Sequence, residues 1–145
     1  FTTSLEIAGA SLTLALKKAL GVDVREAERL KNEEGIVPGS PVAEAIMPTI
    51  SALKDEINRH FIYWHTHTEE AEEPHNKITN VILIGGNANV RGLVAYLAQN
   101  LKIPVSLGDV WHNVLDLGTY VPPIPRNESY RYATVTGLAL RGKRI

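Results

Sequence analysis

The sequence contains no cysteine, which excludes disulfide staples and thiolate zinc sites. It has no surplus of either charge: 15 Lys and Arg stand against 16 Asp and Glu. A net charge of −1 gives no electrostatic reason to expect nucleic acid or an anionic membrane surface as a partner. No apolar run reaches the roughly 18–20 residues needed to cross a bilayer, and no signal peptide is visible. Neither a G-x-G-x-x-G fingerprint nor a Gly-Lys-Ser/Thr phosphate loop occurs. No serine sits in a nucleophile elbow, and no two carboxylates are fixed by spacing for acid–base work. What the 145 residues do have is a 44% hydrophobic content. That suffices for one ordinary domain with a core. The chain begins at Phe1, inside what reads as a strand, so it is expected to be a piece of a longer protein.

The most structured stretch is Ile78–Leu101. Val81, Ile82, Leu83 and Ile84 form a continuous aliphatic run, which fits a strand covered on both faces. Gly85-Gly86 ends it. Adjacent glycines allow positive φ and let a ligand approach the backbone. Asn87 or Asn89 is a candidate cap for a following helix. Val90, Leu93, Val94, Leu97 and Leu101 recur at helical spacing. Lys102–Val105 reads as the start of the next strand, with Val105–Leu107 pairing in the sheet. The unit is βαβ, with its glycine turn at the carboxyl end of the first strand, where open α/β sheets bind ligands. On the turn alone, glycines serving geometry and glycines serving a ligand are equally good readings.

The flanking elements follow from caps and periodicity. Phe1–Ile7 reads as a strand, and Ala8–Ser11 as a small-residue turn with Ser11 as N-cap. Leu12, Ala15, Leu16, Ala19 and Leu20 form the apolar face of a first helix that Gly21 ends. Asp23 caps a second helix, Val24–Glu34, whose dense charges fit a solvated face. Gly35 ends it, and Val37–Pro41 is a linker. A long helix then runs from about Val42 to His65, with Ile46, Ile50, Leu53, Ile57, Phe61 and Trp64 as its stripe. Pro48 marks a second candidate start for it. Thr66–Lys77 is an acidic, polar loop. Gly108–Asn127, rich in proline, wraps the surface without helix. Glu128–Leu140 closes the chain as a helix packing Tyr132, Val135, Thr136, Ala139 and Leu140 inward. A close backbone approach would explain Gly137 within it, since glycine there costs about 1 kcal/mol against alanine. Arg141–Arg144 is a basic tail.

His60, His65, His67 and His75 invite a metal reading. His65 and His67 are two positions apart, which on a helix sends them to different sides. His67 and His75 fall in the expected loop. A zinc site needs fixed ligand geometry, so solvent-exposed histidines are the expectation and no metal ligand is assigned.

Five short motifs occur in order. Ala8-Gly9-Ala10-Ser11-Leu12-Thr13 follows the first strand. Glu26-Ala27-Glu28-Arg29-Leu30-Lys31 opens the second helix. Glu56-Ile57 and Tyr63-Trp64 lie on the long helix. Ile84-Gly85-Gly86-Asn87 with Gly92 forms the glycine turn, and Gly137-Leu138-Ala139-Leu140 closes the chain. Together they resemble the C-terminal lobe of the actin-like ATPases, most closely the PilM-like type IV pilus assembly proteins, with FtsA-like cell-division proteins as relatives. Ala8 replaces the glycine that opens the first motif in that family.

The resemblance implies an α/β chain: the C-terminal subdomains of an actin-like, ribonuclease H-like ATPase fold, with a mixed sheet packed by helices. Residues 1–35 and 78–145 would form the nucleotide-side subdomain, and 36–77 a remnant of the small one. It makes the glycine turn and the Glu-Ala-Glu helix into adenosine contacts, through Gly9, Glu28, Lys31, Gly85, Gly86 and Asn87. ATP would be the cofactor, with magnesium in the full-length protein. The family's two Asp-x-Gly phosphate hairpins are not in this sequence, so no catalytic residue and no ATPase activity are expected of these residues alone. The full-length protein could be a weak ATPase. Implied partners are inner-membrane pilus assembly proteins, with self-association allowed and nucleic acid not expected. The implied location is cytoplasmic, at the inner membrane through partners. Three alternatives stand beside this reading. They are an FtsA-like division protein, a sugar-kinase-like enzyme of the same superfold, and an interaction module without a ligand.

Overall fold

Residues 9–68, 77–112 and 114–141 are described by a computed structural model. The expected strand Phe1–Ile7, most of the expected acidic loop and most of the basic tail lie outside them.

The first helix, α1, spans Gly9–Leu20. It therefore starts before the expected cap Ser11, and the small residues Gly9 and Ala10 form its first turn. Their size matters there, because a Cβ on Gly9 would overlap the Asn87 side chain. Helix α2 spans Val24–Glu33, and Asp23 caps it by accepting from the Glu26 amide at 2.8 Å. Gly35 closes it with φ +55°, as a helix-ending glycine does.

Helix α3 spans Pro41–Thr68. Pro48 lies inside it, so the second candidate start is not used. Pro41 occupies the first position, where a missing N–H costs nothing, and Ser40 Oγ accepts from the Val42 amide at 3.2 Å. The expected stripe is used unevenly. Ile46 and Ile50 are fully buried, whereas Leu53, Ile57, Phe61 and Trp64 are half-buried. The stripe packs on α1 and α4.

Strand β1, Val81–Leu83, pairs in parallel with β2, Val105–Leu107, with Val81 opposite Val105. The expectation of a strand buried on both faces fails. Leu83 and Val105 pack against the core, but Ile82 and Ile84 are 58% and 57% exposed. Alternation, not a continuous buried run, describes β1, because the described elements pack tightly against one face only.

Between the strands, a 3-10 turn at Gly86–Asn89 precedes helix α4, Leu93–Leu101. Neither Asn87 nor Asn89 caps α4. Gly92 occupies that position with φ +83° and no side-chain hydrogen bond, and Asn89 instead donates to the Asn127 carbonyl. The glycines explain the displaced start. Ile36 N donates to Arg91 O at 2.8 Å, and a Cβ on Gly92 would lie 2.9 Å from Ile36 O. A Cβ on Gly35 would overlap the Arg91 carbonyl. The end of α2 and the start of α4 thus meet backbone to backbone.

The closing segment is three short pieces and not one helix: α5, Arg126–Ser129, a 3-10 turn at Tyr130–Tyr132, and α6, Ala133–Arg141. The inward residues are Ser129 and Tyr130, both buried. The expected set fails: no residue of α6 is buried, and Tyr132, Val135 and Leu140 are exposed. Helix α6 stands over the open sheet face, with a cavity of about 450 Å³ between them. Nothing described lies within 4 Å of a Cβ on Gly137, so a close approach does not explain that glycine.

The core is built by α1 to α4 with Val90 just before α4: Leu12, Leu16, Ala27, Leu30, Val42, Ile46, Ile50, Val90, Leu93 and Leu97 form one cluster. Burying each large aliphatic side chain fully contributes about 1.5–3 kcal/mol. This core fixes α1, α2 and the segment after β1 relative to one another.

Candidate functional site

The carboxyl end of β1 requires a turn that an ordinary residue cannot make. Gly85 has φ +92°, a conformation costly to any side chain with a Cβ. Gly86 is not in the left-handed region, and a Cβ there would meet nothing within 4 Å. The expected conformational need therefore belongs to Gly85 alone. Gly86 leaves open space in front of the backbone.

That open space belongs to a cavity of about 360 Å³. Gly9 at the start of α1, Gly86 and Asn87 of the turn, and Glu28 and Lys31 of α2 line it. Five of the six residues expected at a ligand thus line one cavity. Gly85 does not line it and shapes the turn instead. Four further lining residues were not expected at a ligand: Ala10, Asn32, Asn89 and Arg131. Asn32 follows Lys31 directly. Arg131 comes from the closing segment, which carried no ligand signal.

Helix geometry explains the pairing of Glu28 with Lys31. Glu28 and Lys31 are three residues apart, so both lie on the face of α2 turned toward α1. Lys31 Nζ donates to Glu28 Oε2 at 2.7 Å and to Thr13 Oγ1 at 3.2 Å. The Thr13 hydroxyl also lies within hydrogen-bond reach of Glu28 Oε1 and of the Gly9 carbonyl. The Lys31 side chain is 3% exposed and that of Glu28 48%. A buried cation needs such partners, since an unpaired charge out of water is expensive.

The Glu28 carboxyl is held below its ordinary pKa. Partial burial pushes the other way. Hydrogen bonds from Lys31 and Thr13, with the charges of Lys31 and Arg131, outweigh it. The carboxylate is therefore a charged acceptor at neutral pH, and Glu28 lines the cavity.

The outer face of the same helix has the solvated character expected of its charges. Arg29 pairs with Glu26 at 2.6 Å and with Glu33, all three well exposed. Such pairs contribute about 0–1 kcal/mol.

A parallel strand ends in a glycine turn, and helices from two other parts of the chain close a polar cavity over it. Fold and site together define a mixed α/β domain with a concave polar site at the carboxyl end of a strand. The chain belongs to the type IV pilus assembly protein PilM family, whose family model matches residues 1–143. A solved structure, a PilM–PilN type IV pilus biogenesis complex, is similar to it at 24% identity with a TM-score of 0.76. The likeness covers 97% of this chain, which spans 38% of the length of the matched chain. A comparison with curated proteins finds no match. No helix among the described residues is long and apolar enough to cross a membrane.

Proposed function

We propose that this chain forms one wall of an ATP site in a full-length actin-like protein that acts as a cytoplasmic scaffold in type IV pilus assembly. The single observation that carries this reading is convergence. Gly9, Glu28, Lys31, Gly86 and Asn87 come from three separated stretches and line one cavity. Its volume of about 360 Å³ is in the range of small-molecule sites, roughly 300–1,000 Å³. The groups available also suit a nucleoside. A carboxylate can accept from ribose hydroxyls, and amides can both donate and accept at a base edge.

The family match favours the pilus role over the FtsA-like one. The division into a nucleotide-side subdomain, 1–35 with 78–145, and a remnant at 36–77 belongs to the same proposal. Inner-membrane pilus assembly proteins are the proposed partners, and the matched complex with PilN supports that choice. Magnesium enters only with the full-length protein. Among the described residues, no three His, Asp or Glu side chains cluster as a metal site requires.

Calorimetric titration of the full-length protein with ATP tests this reading. Saturable binding is expected, and Gly85→Val is expected to abolish it because a β-branched residue cannot hold φ +92°. A flat titration of the wild type refutes the nucleotide site.

A further inference from the structure

Two apolar features of this chain lie close together and do not meet. The first is the turn at residues 116–121. The Asp116 carbonyl accepts from the amides of Thr119 and Tyr120 at 3.1 and 3.0 Å and from the Thr119 hydroxyl at 3.1 Å. Asp116 Oδ1 accepts from the Gly118 amide at 2.9 Å. Pro122, Pro123 and Pro125 stiffen the chain that follows. The turn is therefore set in advance, and it holds out Leu117, Tyr120 and Val121 at 50%, 53% and 83% exposure. Single exposed apolar residues are ordinary, whereas three on one fixed turn mark a contact surface.

The second feature is the cavity of about 450 Å³ under α6, lined largely by aliphatic side chains, among them Ile82, Ile84, Val114 and Leu140. Gly137 lines it too. Glycine inside a helix costs stability against alanine. No described residue comes within 4 Å of a Cβ at 137, so packing inside the chain gives nothing in return. A bare stretch of helix facing a roomy apolar cavity suits a side chain that arrives from outside.

We propose that the turn of one copy enters the cavity of a second copy of this chain, with Tyr120 and Val121 against Ile82, Ile84 and Gly137, and that two copies do this reciprocally. The inference stands apart from the nucleotide site. The turn cannot fill the cavity of its own chain. Val114 lines that cavity only three residues before Leu117, and bonds to the Trp111 and Asp116 carbonyls fold the chain between them. Size agrees: a cavity of about 150 Å³ holds a benzene ring, so about 450 Å³ has room for a tyrosine ring and a valine side chain. Charge agrees as well. Residues 108–125 carry two Asp and no Lys or Arg, and the net charge of the whole chain is −1, so two copies meet without strong repulsion. Turn and cavity lie on one face, so a two-fold axis lets each copy give its turn and receive its partner's, which closes the assembly at a dimer. The contact is small, so association is expected in the micromolar range, and the sheet face is uncovered at lower concentrations.

Sedimentation velocity of the full-length protein between about 1 and 200 µM tests this. Wild type is expected to pass from monomer to dimer. Val121→Asp is expected to raise the dimer dissociation constant by about a hundredfold or more at an unchanged melting temperature, because a two-fold contact counts the charge twice. Gly137→Leu fills the cavity from inside. It is expected to weaken association by a similar factor while melting at or above the wild-type temperature, since leucine is the better helix former. Neither variant is expected to dimerise alone. An equal mixture of the two is expected to dimerise, because the cavity of the Val121→Asp copy still receives the turn of the Gly137→Leu copy.

A wild type that stays monomeric throughout the range overturns the proposal, and so does a dimer that survives Val121→Asp. Growth past the dimer rules out reciprocal docking. A mixture that fails to dimerise where wild type succeeds rules out the pairing of turn with cavity. A Gly137→Leu protein that melts well below wild type would mean that other parts of the full-length chain already fill the cavity, which also overturns it.

Discussion

The two faces of the small sheet differ in what covers them, and the difference locates the rigid part of the molecule. On one face Leu83 and Val105 pack into the cluster that α1 to α4 build. On the other, Ile82 and Ile84 are more than half exposed beneath a helix with no buried residue. The helical side sets Gly9, Glu28, Lys31 and Asn87 relative to one another. The closing segment, which brings Arg131, is attached at the turn by two polar bonds, Gly85 N to Tyr130 O and the Asn89 amide to Asn127 O, and by the buried Ser129 and Tyr130. One part of the cavity lining is thus fixed by the main core, and the other by hydrogen bonds around two buried residues.

Stability measurements can break that contrast. The largest loss is expected from Ile50→Ala, at about 2–5 kcal/mol, because Ile50 is fully buried between packed helices. Chemical denaturation of the variant gives the value directly. Gly35→Ala comes next, at about 1–3 kcal/mol for the left-handed φ, with the overlap on the Arg91 carbonyl added. Gly39→Ala is its control. Gly39 has φ +78° with nothing within 4 Å of a Cβ, so it carries the backbone strain alone. Equal losses at the two glycines would mean that the α2–α4 joint yields freely. Ile57→Ala should cost about 1–2 kcal/mol, less than a fully buried site, because Ile57 is only half-buried.

Glu28 gives a smaller, pH-dependent effect. Its folded pKa lies below the ordinary 4.5. The ionised carboxylate therefore adds stability at pH values above the unfolded pKa. That contribution is lost as pH falls through the folded value. The gap in melting temperature between wild type and Glu28→Gln should be open at pH 7 and close in the acid range. A gap that widens on acidification would reverse the sign and refute the pairing with Lys31. The smallest change is expected from Ile82→Ala, below about 0.5 kcal/mol. A loss comparable to that of Ile50→Ala would show that the open sheet face is covered in solution.

What the sequence disclosed follows the range of the forces involved. The Asp23 cap, the glycine end of α2 and the parallel pairing across α4 depend on neighbours in the chain, and all three occur. The grouping of Gly9, Glu28, Lys31, Gly86 and Asn87 was legible through motif order. Burial on the far side was not. Val81–Ile84 is apolar throughout, and its composition does not tell which face lacks a cover. The same holds for α6, whose spacing is helical whether or not something packs on it. Gly85 and Gly86 look alike in the sequence, yet the bend falls on the first of them alone. Arg131 gave no signal because its place depends on a contact between residues far apart in the chain.

The bond from Gly85 N to Tyr130 O runs between main-chain atoms. Its existence does not depend on which side chain follows at 131. The frame around that position can therefore be inherited unchanged while the residue itself drifts. Among descendants of one ancestral protein, the side chain at 131 can change without any compensating change in the core. Position 31 has no such freedom, since its side chain serves Thr13 and Glu28 at once.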